Sequence, residues 1–223
     1  MMRRILAKLR NEAHRRRIRS EGFWFVDVPR TGSTSLKVQL HERFGSPFGK
    51  SDEAFAGAGL NLRDHQSAQE MRSFMKGDWP ALWSFSFVRN PWDRFLSLYK
   101  FRRERYRHFG DEVSFERYVL SLRNPGYSFA SKDSPYYRSV FYWNASDYLV
   151  DPDGKILVSD VFKFEERAPA FEKIASKIGI ALDVESRIFR TESGGYRDHY
   201  TAEMRDLVGR HAWKDIQLFG YEF

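Results

Sequence analysis

The stretch "FWFVDVPRTGSTSLKVQLHERFG", residues 23–45, decides the fold. It opens on an apolar run, Gly22 to Val28, rich in aromatic and β-branched side chains, which reads as a buried strand that Pro29 closes. A short arc of small residues follows, and then Leu36, Leu40 and Phe44 recur four apart while Lys37, Glu42 and Arg43 take other faces, the pattern of an amphipathic helix ending near Gly45. Strand, turn and helix in this order form a unit whose turn lies at the carboxyl end of a parallel sheet, with the positive end of the helix aimed at any ligand there. Gly32 permits close backbone approach, and Thr31, Ser33, Thr34 and Ser35 offer hydroxyl donors, so the arc suits an anion. A plain capped helix start has the same composition. The lysine of a nucleoside-triphosphate loop is missing, since no G-x-x-x-x-G-K-[ST] occurs and Lys37 lies within the helix; the cation stands before the glycine, at Arg30.

Working outward, the pattern repeats. Leu82 to Val88 reads as a second buried strand, and Asn90-Pro91 opens a helix whose apolar face is Trp92, Phe95, Leu96 and Tyr99. Between them, residues 45–61 read as a surface loop, and Asp64 reads as the cap of a helix through HQSAQEMRSFM. The segment DYLV-DPDG-KILVSDVFKF reads as two strands joined by a tight turn, with helices following at about 165–179 and 198–213. Strands alternating with helices imply an α/β fold, a P-loop-like parallel sheet flanked by helices.

Composition narrows the function. The chain has 223 residues, 42% of them apolar and 17% aromatic, which suits one globular domain with a sizeable core. It has no cysteine, so disulfides and thiolate chemistry are excluded, and a reducing, cytoplasmic setting is expected. The six histidines never form a metal-binding helical pair, and no metal is expected. The net charge of +7 is local: residues 1–20 hold eight of the 37 basic groups and one of the 30 acidic ones, leaving 29 of each in residues 21–223. A neutral body argues against a nucleic-acid partner. The chain therefore divides into a basic arm, residues 1–20, and one domain, residues 21–223. Met1, Met2, Ile5, Leu6, Leu9 and Ala13 recur at helical spacing in the arm, which reads as a solvated or docked leader helix, with peripheral contact to an anionic membrane as the second reading.

Two motifs carry a family resemblance. "VPRTGSTSL" at 28–36 closely resembles the 5′-phosphosulfate loop of the sulfotransferase superfamily, especially the branch of the heparan, dermatan and chondroitin sulfotransferases and their bacterial relatives. "FSFVRNPWDRFLSLY" at 85–99 resembles that family's 3′-phosphate motif, and "FKFEE" at 162–166 and "DIQLFGYEF" at 215–223 also look familial. The resemblance implies the sulfotransferase fold and 3′-phosphoadenosine 5′-phosphosulfate (PAPS) as co-substrate, with no metal. It places Arg30, Thr31, Gly32, Ser33, Thr34 and Ser35 around the donor's 5′ end and Arg89 and Ser97 on its 3′-phosphate. The family usually has lysine where this chain has Arg30, so electrostatic stabilisation of the leaving oxygen is the role Arg30 can fill, and proton donation is not. "DHQSAQEMR" at 64–72 resembles the H-x-x-A helix start of bacterial relatives and implies His65 as the catalytic base, with Glu70, Asp64 and His199 as substitutes and a surface histidine as the plainer reading. "GGYRDHY" at 194–200 resembles the segment that closes over the donor, which makes Arg197 a further phosphate contact.

The resemblance implies a hydroxyl as acceptor, and the branch resembled suggests a saccharide. Tyr127, Phe129, Tyr136, Tyr137, Phe141, Tyr142 and Trp143 could line a sugar groove, though such density more often makes core, and Arg102, Arg103, Arg105 and Arg107 read as a solvated helix face before an acidic-polymer site. The rival readings are a P-loop kinase using ATP and a non-catalytic adenosine-bisphosphate-binding protein.

Overall fold

The structure is a computed structural model that describes residues 2–48, 65–104, 112–123, 144–186 and 195–223. The aromatic run 127–143, Asp64, Arg105, Arg107 and most of the 45–61 loop lie outside the described residues. The chain divides into two compact units, one of residues 1–87 with 148–188, the other of residues 88–147 with 189–223.

In the first unit, α1 (Met2–Glu21) runs into β1 (Phe23–Val26), and the phosphate-loop candidate leads to α2 (Thr34–Phe44). Next come α3 (Ala68–Met75), a short 3₁₀ turn, and β2 (Trp83–Val88). β1 and β2 pair in parallel, with Phe25 opposite Phe85. The order β1-β2-β3 is completed by β3 (Asp160–Lys163). Alternation along the strands sets what they bury: Phe23 and Phe25 share a face with Phe85 and Phe87, and the Phe25 and Phe85 rings lie 5.2 Å apart. On the other face Ser86 is fully buried and donates its hydroxyl to the Val26 carbonyl at 2.7 Å. Leu36 and Leu40 of α2, both fully buried, and Phe44, whose ring meets Phe23 edge-on at 5.1 Å, confirm the expected helical stripe. α7 (Arg167–Ile178) follows β3 and contributes Phe171 and Ile174 to this core.

The basic arm is helical to Glu21. Among the arm's described side chains, Leu9 is 63% exposed, Ala13 is also exposed, and Ile18 is buried; those of Met1, Met2, Ile5 and Leu6 lie outside the described residues. Arg19 pairs with Asp78 at 2.7 Å. Among the described residues no helix is long and apolar enough to cross a membrane.

The second unit is built on α4 (Pro91–Glu104), with α5 (Phe115–Leu120), α8 (Ala202–His211) and α9 (Trp213–Phe219). Trp92, Phe95, Leu96 and Tyr99 are all buried, as their spacing predicts, and Asn90 Oδ1 accepts from the Trp92 N–H at 3.1 Å, the expected cap.

Three local readings are corrected. α3 starts at Ala68 under a capping box, in which Ser67 Oγ accepts from the Glu70 N–H and Glu70 Oε2 accepts from the Ser67 N–H at 2.7 Å. The first strand of the expected 147–164 hairpin is instead the end of α6 (Ala145–Leu149). Its first N–H groups, of Ala145 and Ser146, donate to the buried Asp215 carboxylate at 2.7 and 2.8 Å, a tertiary cap that favours helix where β-propensity alone would not. The turn itself is present, Gly154 at φ 82°, but only the Val150–Ile156 bridge pairs across it. Finally, Arg102 is buried at 2% exposure rather than lying on a solvated face.

Ser67→Ala removes the cap of a two-turn helix and should lower stability by about 1 kcal/mol, read as a shift in the urea midpoint at constant slope.

Candidate functional site

The turn after β1 uses backbone that most residues avoid. Arg30 has φ 66° and Gly32 φ 73°, with right-handed Ser33 (φ −71°, ψ −17°) next. Left-handed backbone costs a non-glycine residue roughly 1–2 kcal/mol, so Arg30 is held there by its surroundings. Successive residues of opposite hand are the local geometry of backbone anion nests. Ser33 makes no side-chain capping bond, so it does not take up the first N–H groups of α2. Thr31 is turned inward, donating its hydroxyl to the Val28 carbonyl at 2.8 Å and thereby closing the turn.

The loop is braced by a residue that sequence reasoning missed. Arg167, at the start of α7, donates Nη1–H to the Gly32 carbonyl at 3.2 Å and Nη2–H to Ser35 Oγ at 2.5 Å, and its guanidinium stacks 4.5 Å from the Phe171 ring centre. A β-carbon on Gly32 would stand 2.3 Å from Phe164 Cε2, so close packing as well as φ reserves this position for glycine. The only signal in the sequence was the adjacent "FKFEE" segment, which ends one residue before Arg167.

Beneath the loop lies a buried charge cluster. Asp27, three residues before Arg30 and 5% exposed, accepts on Oδ2 from Lys37 Nζ at 2.6 Å and from His65 Nδ1 at 2.9 Å. The His65 Nδ1 also faces the Asp27 carbonyl at 3.1 Å. Burial by itself would raise the Asp27 pKa. The Lys37 charge and the His65 ring outweigh it and hold the carboxylate well below its ordinary value of 3.8. Lys37, whose place inside the helix counted against a triphosphate lysine, thus turns back from α2 to the end of the first strand. The cluster brings His65 to Asp27, three residues before Arg30, across 38 residues of chain.

In the second unit, Arg89 is 4% exposed and donates Nε–H to Asp93 Oδ2 at 2.8 Å, a buried pair one helical turn apart rather than a surface one. Asp93 Oδ1 is buried with no hydrogen-bond partner among the described residues. Ser97, the other expected phosphate residue, is 2% exposed on the same helix. Tyr200 donates its hydroxyl to the Trp92 carbonyl at 2.8 Å; burial, and after it the Asp93 charge, raises its pKa above the ordinary tyrosine value. Arg197 is exposed, its guanidinium 4.8 Å from the Tyr196 ring centre and 5.9 Å from that of Phe223. Each unit thus holds its own share of the expected residues: Arg30, Thr31 to Ser35 and His65 in the first, Arg89, Ser97 and Arg197 in the second.

The model of the sulfotransferase family matches residues 16–163, which include both motifs and His65. A sulfotransferase from Alicyclobacillus acidocaldarius, known from its crystal structure, is similar to 95% of this chain over 92% of its own, at 16% identity and a TM-score of 0.40, too remote a likeness to locate residues. No curated protein matches.

Because the folded-state pKa of Asp27 is depressed, its stabilising contribution is complete above the ordinary carboxylate value near pH 3.8 and drains away as pH falls below it. Denaturation of Asp27→Asn/Lys37→Met between neutral and strongly acid pH should therefore show a shallower acid limb than wild type.

Proposed function

This chain belongs to the sulfotransferase family, and we propose that it moves the sulfuryl group of PAPS to a hydroxyl, with a saccharide as the acceptor class. The observation that carries the reading is the Asp27 cluster, which sets an imidazole beside an anion-nest turn in one unit. Sulfuryl transfer leaves little covalent work for side chains, so positioning and charge stabilisation dominate.

In this reading the Arg30-to-Ser35 turn holds the 5′-phosphosulfate. Backbone N–H groups at the start of α2 and the Arg30 guanidinium meet the charge that develops on the bridging oxygen as its bond to sulfur breaks. The acceptor oxygen attacks sulfur in line, with inversion, and its proton passes to the His65 imidazole. Adenosine 3′,5′-bisphosphate is the other product. Arg89 and Ser97 are assigned to its 3′-phosphate, with Arg197 as a further contact. Arg89 already spends Nε–H on Asp93, which fixes the plane of its guanidinium.

A labelled-sulfate transfer assay over a saccharide panel, run in parallel with γ-labelled ATP and magnesium, tests the donor; transfer from PAPS alone is expected, and transfer from ATP alone would replace this reading with a kinase. Calorimetric titration with adenosine 3′,5′-bisphosphate should show Arg89→Ala weakened by about 10- to 100-fold, the worth of charged hydrogen bonds. Removing Arg89 also strands Asp93, so Ser97→Ala, weakened by about tenfold for one hydrogen bond to a charged acceptor, is the gentler companion. Equal affinity in all three proteins would remove the 3′-phosphate assignment.

His65→Ala should lower kcat by about 10²- to 10⁴-fold, the usual worth of a general base, with bisphosphate affinity unchanged. Undiminished turnover would discard His65 as the base and leave the donor site standing.

A further inference from the structure

We infer that Asp27 is the positioning residue for His65: its carboxylate, with Lys37 as counter-ion, selects the Nδ1–H tautomer of the ring and leaves Nε2 as the atom that takes the acceptor's proton. The inference deepens the base assignment above and rests on it. The sequence reading did not single out Asp27, which lies within the run Gly22 to Val28 read as a buried strand.

Two oxygens converge on one ring nitrogen. Asp27 Oδ2 lies 2.9 Å and the Asp27 carbonyl 3.1 Å from His65 Nδ1. A carbonyl can only accept, and a carboxylate held ionised can only accept, so the hydrogen must sit on Nδ1. A neutral imidazole in water favours the opposite tautomer, with the hydrogen on Nε2. The protein therefore works against the ring's own preference, and it spends a buried carboxylate to do so. The consequence is chemical: in the neutral ring the lone pair of Nε2 is the basic site, and its direction is set by a carboxylate on the rigid end of β1 instead of by the short turn that carries His65.

Lys37 makes this arrangement workable. A carboxylate buried with an imidazole as sole partner is stabilised best when the ring is cationic, and a cationic ring has no lone pair to offer. With Lys37 Nζ 2.6 Å from the same Oδ2, the carboxylate has a cation beside it from another residue, so the ring is not its sole partner. The Lys37 contact ties the end of β1 to the first turn of α2, and the His65 contact ties it to the segment before α3, so both are indexed to one oxygen atom.

The tautomer is measurable without turnover. Long-range nitrogen-15 correlation spectra of the labelled full chain, with His65 identified by its loss in His65→Gln, should show Nδ1 protonated and Nε2 unprotonated in the neutral ring. Asp27→Asn alone would strand Lys37 in the interior, so the informative variant is Asp27→Asn/Lys37→Met. In it the residue-27 carbonyl still faces Nδ1, so the Nδ1–H state should fall from uniform to a mixture of tautomers, and kcat should fall by about 100-fold, with adenosine 3′,5′-bisphosphate binding kept as proof of an intact loop. A wild-type ring protonated on Nε2 overturns the inference, as does a double variant whose Nδ1–H population is as complete as in wild type, which would give the orienting role to the backbone carbonyl. If the variant does not fold, the wild-type spectrum decides alone. Full turnover in His65→Ala would sink the base assignment while the spectrum still reports whether Asp27 orients the ring, so the two failures are told apart.

Discussion

A carboxylate taken out of water must be given its charge partners inside the protein, and at Asp27 that requirement organises the surroundings. Breaking one arm of such a buried pair typically costs about 3–5 kcal/mol, a large part of the stability of a domain. The end of β1, the first turns of α2 and the segment carrying His65 therefore cannot drift independently, because each supplies or contacts the same Oδ2. The turn between β1 and α2 spans the two elements that the cluster ties together, with Arg30 in left-handed backbone and Gly32 pressed against Phe164.

The second unit repeats the device in another form. Arg89 is presented by a buried carboxylate one turn along α4, and the helix is fixed by the Asn90 cap and by Trp92, whose indole N–H donates to the Arg205 carbonyl at 2.9 Å. In both places an acid that touches no substrate in the proposed reaction decides where a cation or an imidazole points. Both acids also keep one oxygen, Oδ1, without a hydrogen-bond partner among the described residues. Incomplete satisfaction of a buried carboxylate is costly, and at functional sites it marks geometry retained for a reason other than stability.

Much of this was legible along the chain. Phe23 to Val26 and Trp83 to Val88 are strands because their aromatic and β-branched residues suit a pleated, buried surface, and Asn90-Pro91 begins a helix because a cap followed by proline satisfies the first turn locally. Other features depended on distant partners. Sequence placed a strand at Asp147 to Val150, but Asp215 caps the segment and turns it helical. Arg102 looked solvated because charge on a helix usually is, yet its helix is buried on most sides. Ser67, by contrast, was a local signal passed over: the S-x-x-E spacing to Glu70 was there to be read.

Sequence by itself determined the strand-turn-helix order, the amphipathic faces, the family motifs and the location of the excess charge in the first twenty residues. Each of these depends on neighbours within a turn or two, or on composition, and so survives being read in one dimension. Tertiary structure alone decided that Asp27, Lys37 and His65 form one cluster and that Arg167 braces the turn after β1 from more than a hundred residues away. A buried charge is stabilised by whatever opposite charge the folded chain brings within about 3 Å, and separation along the sequence does not say which residue that is.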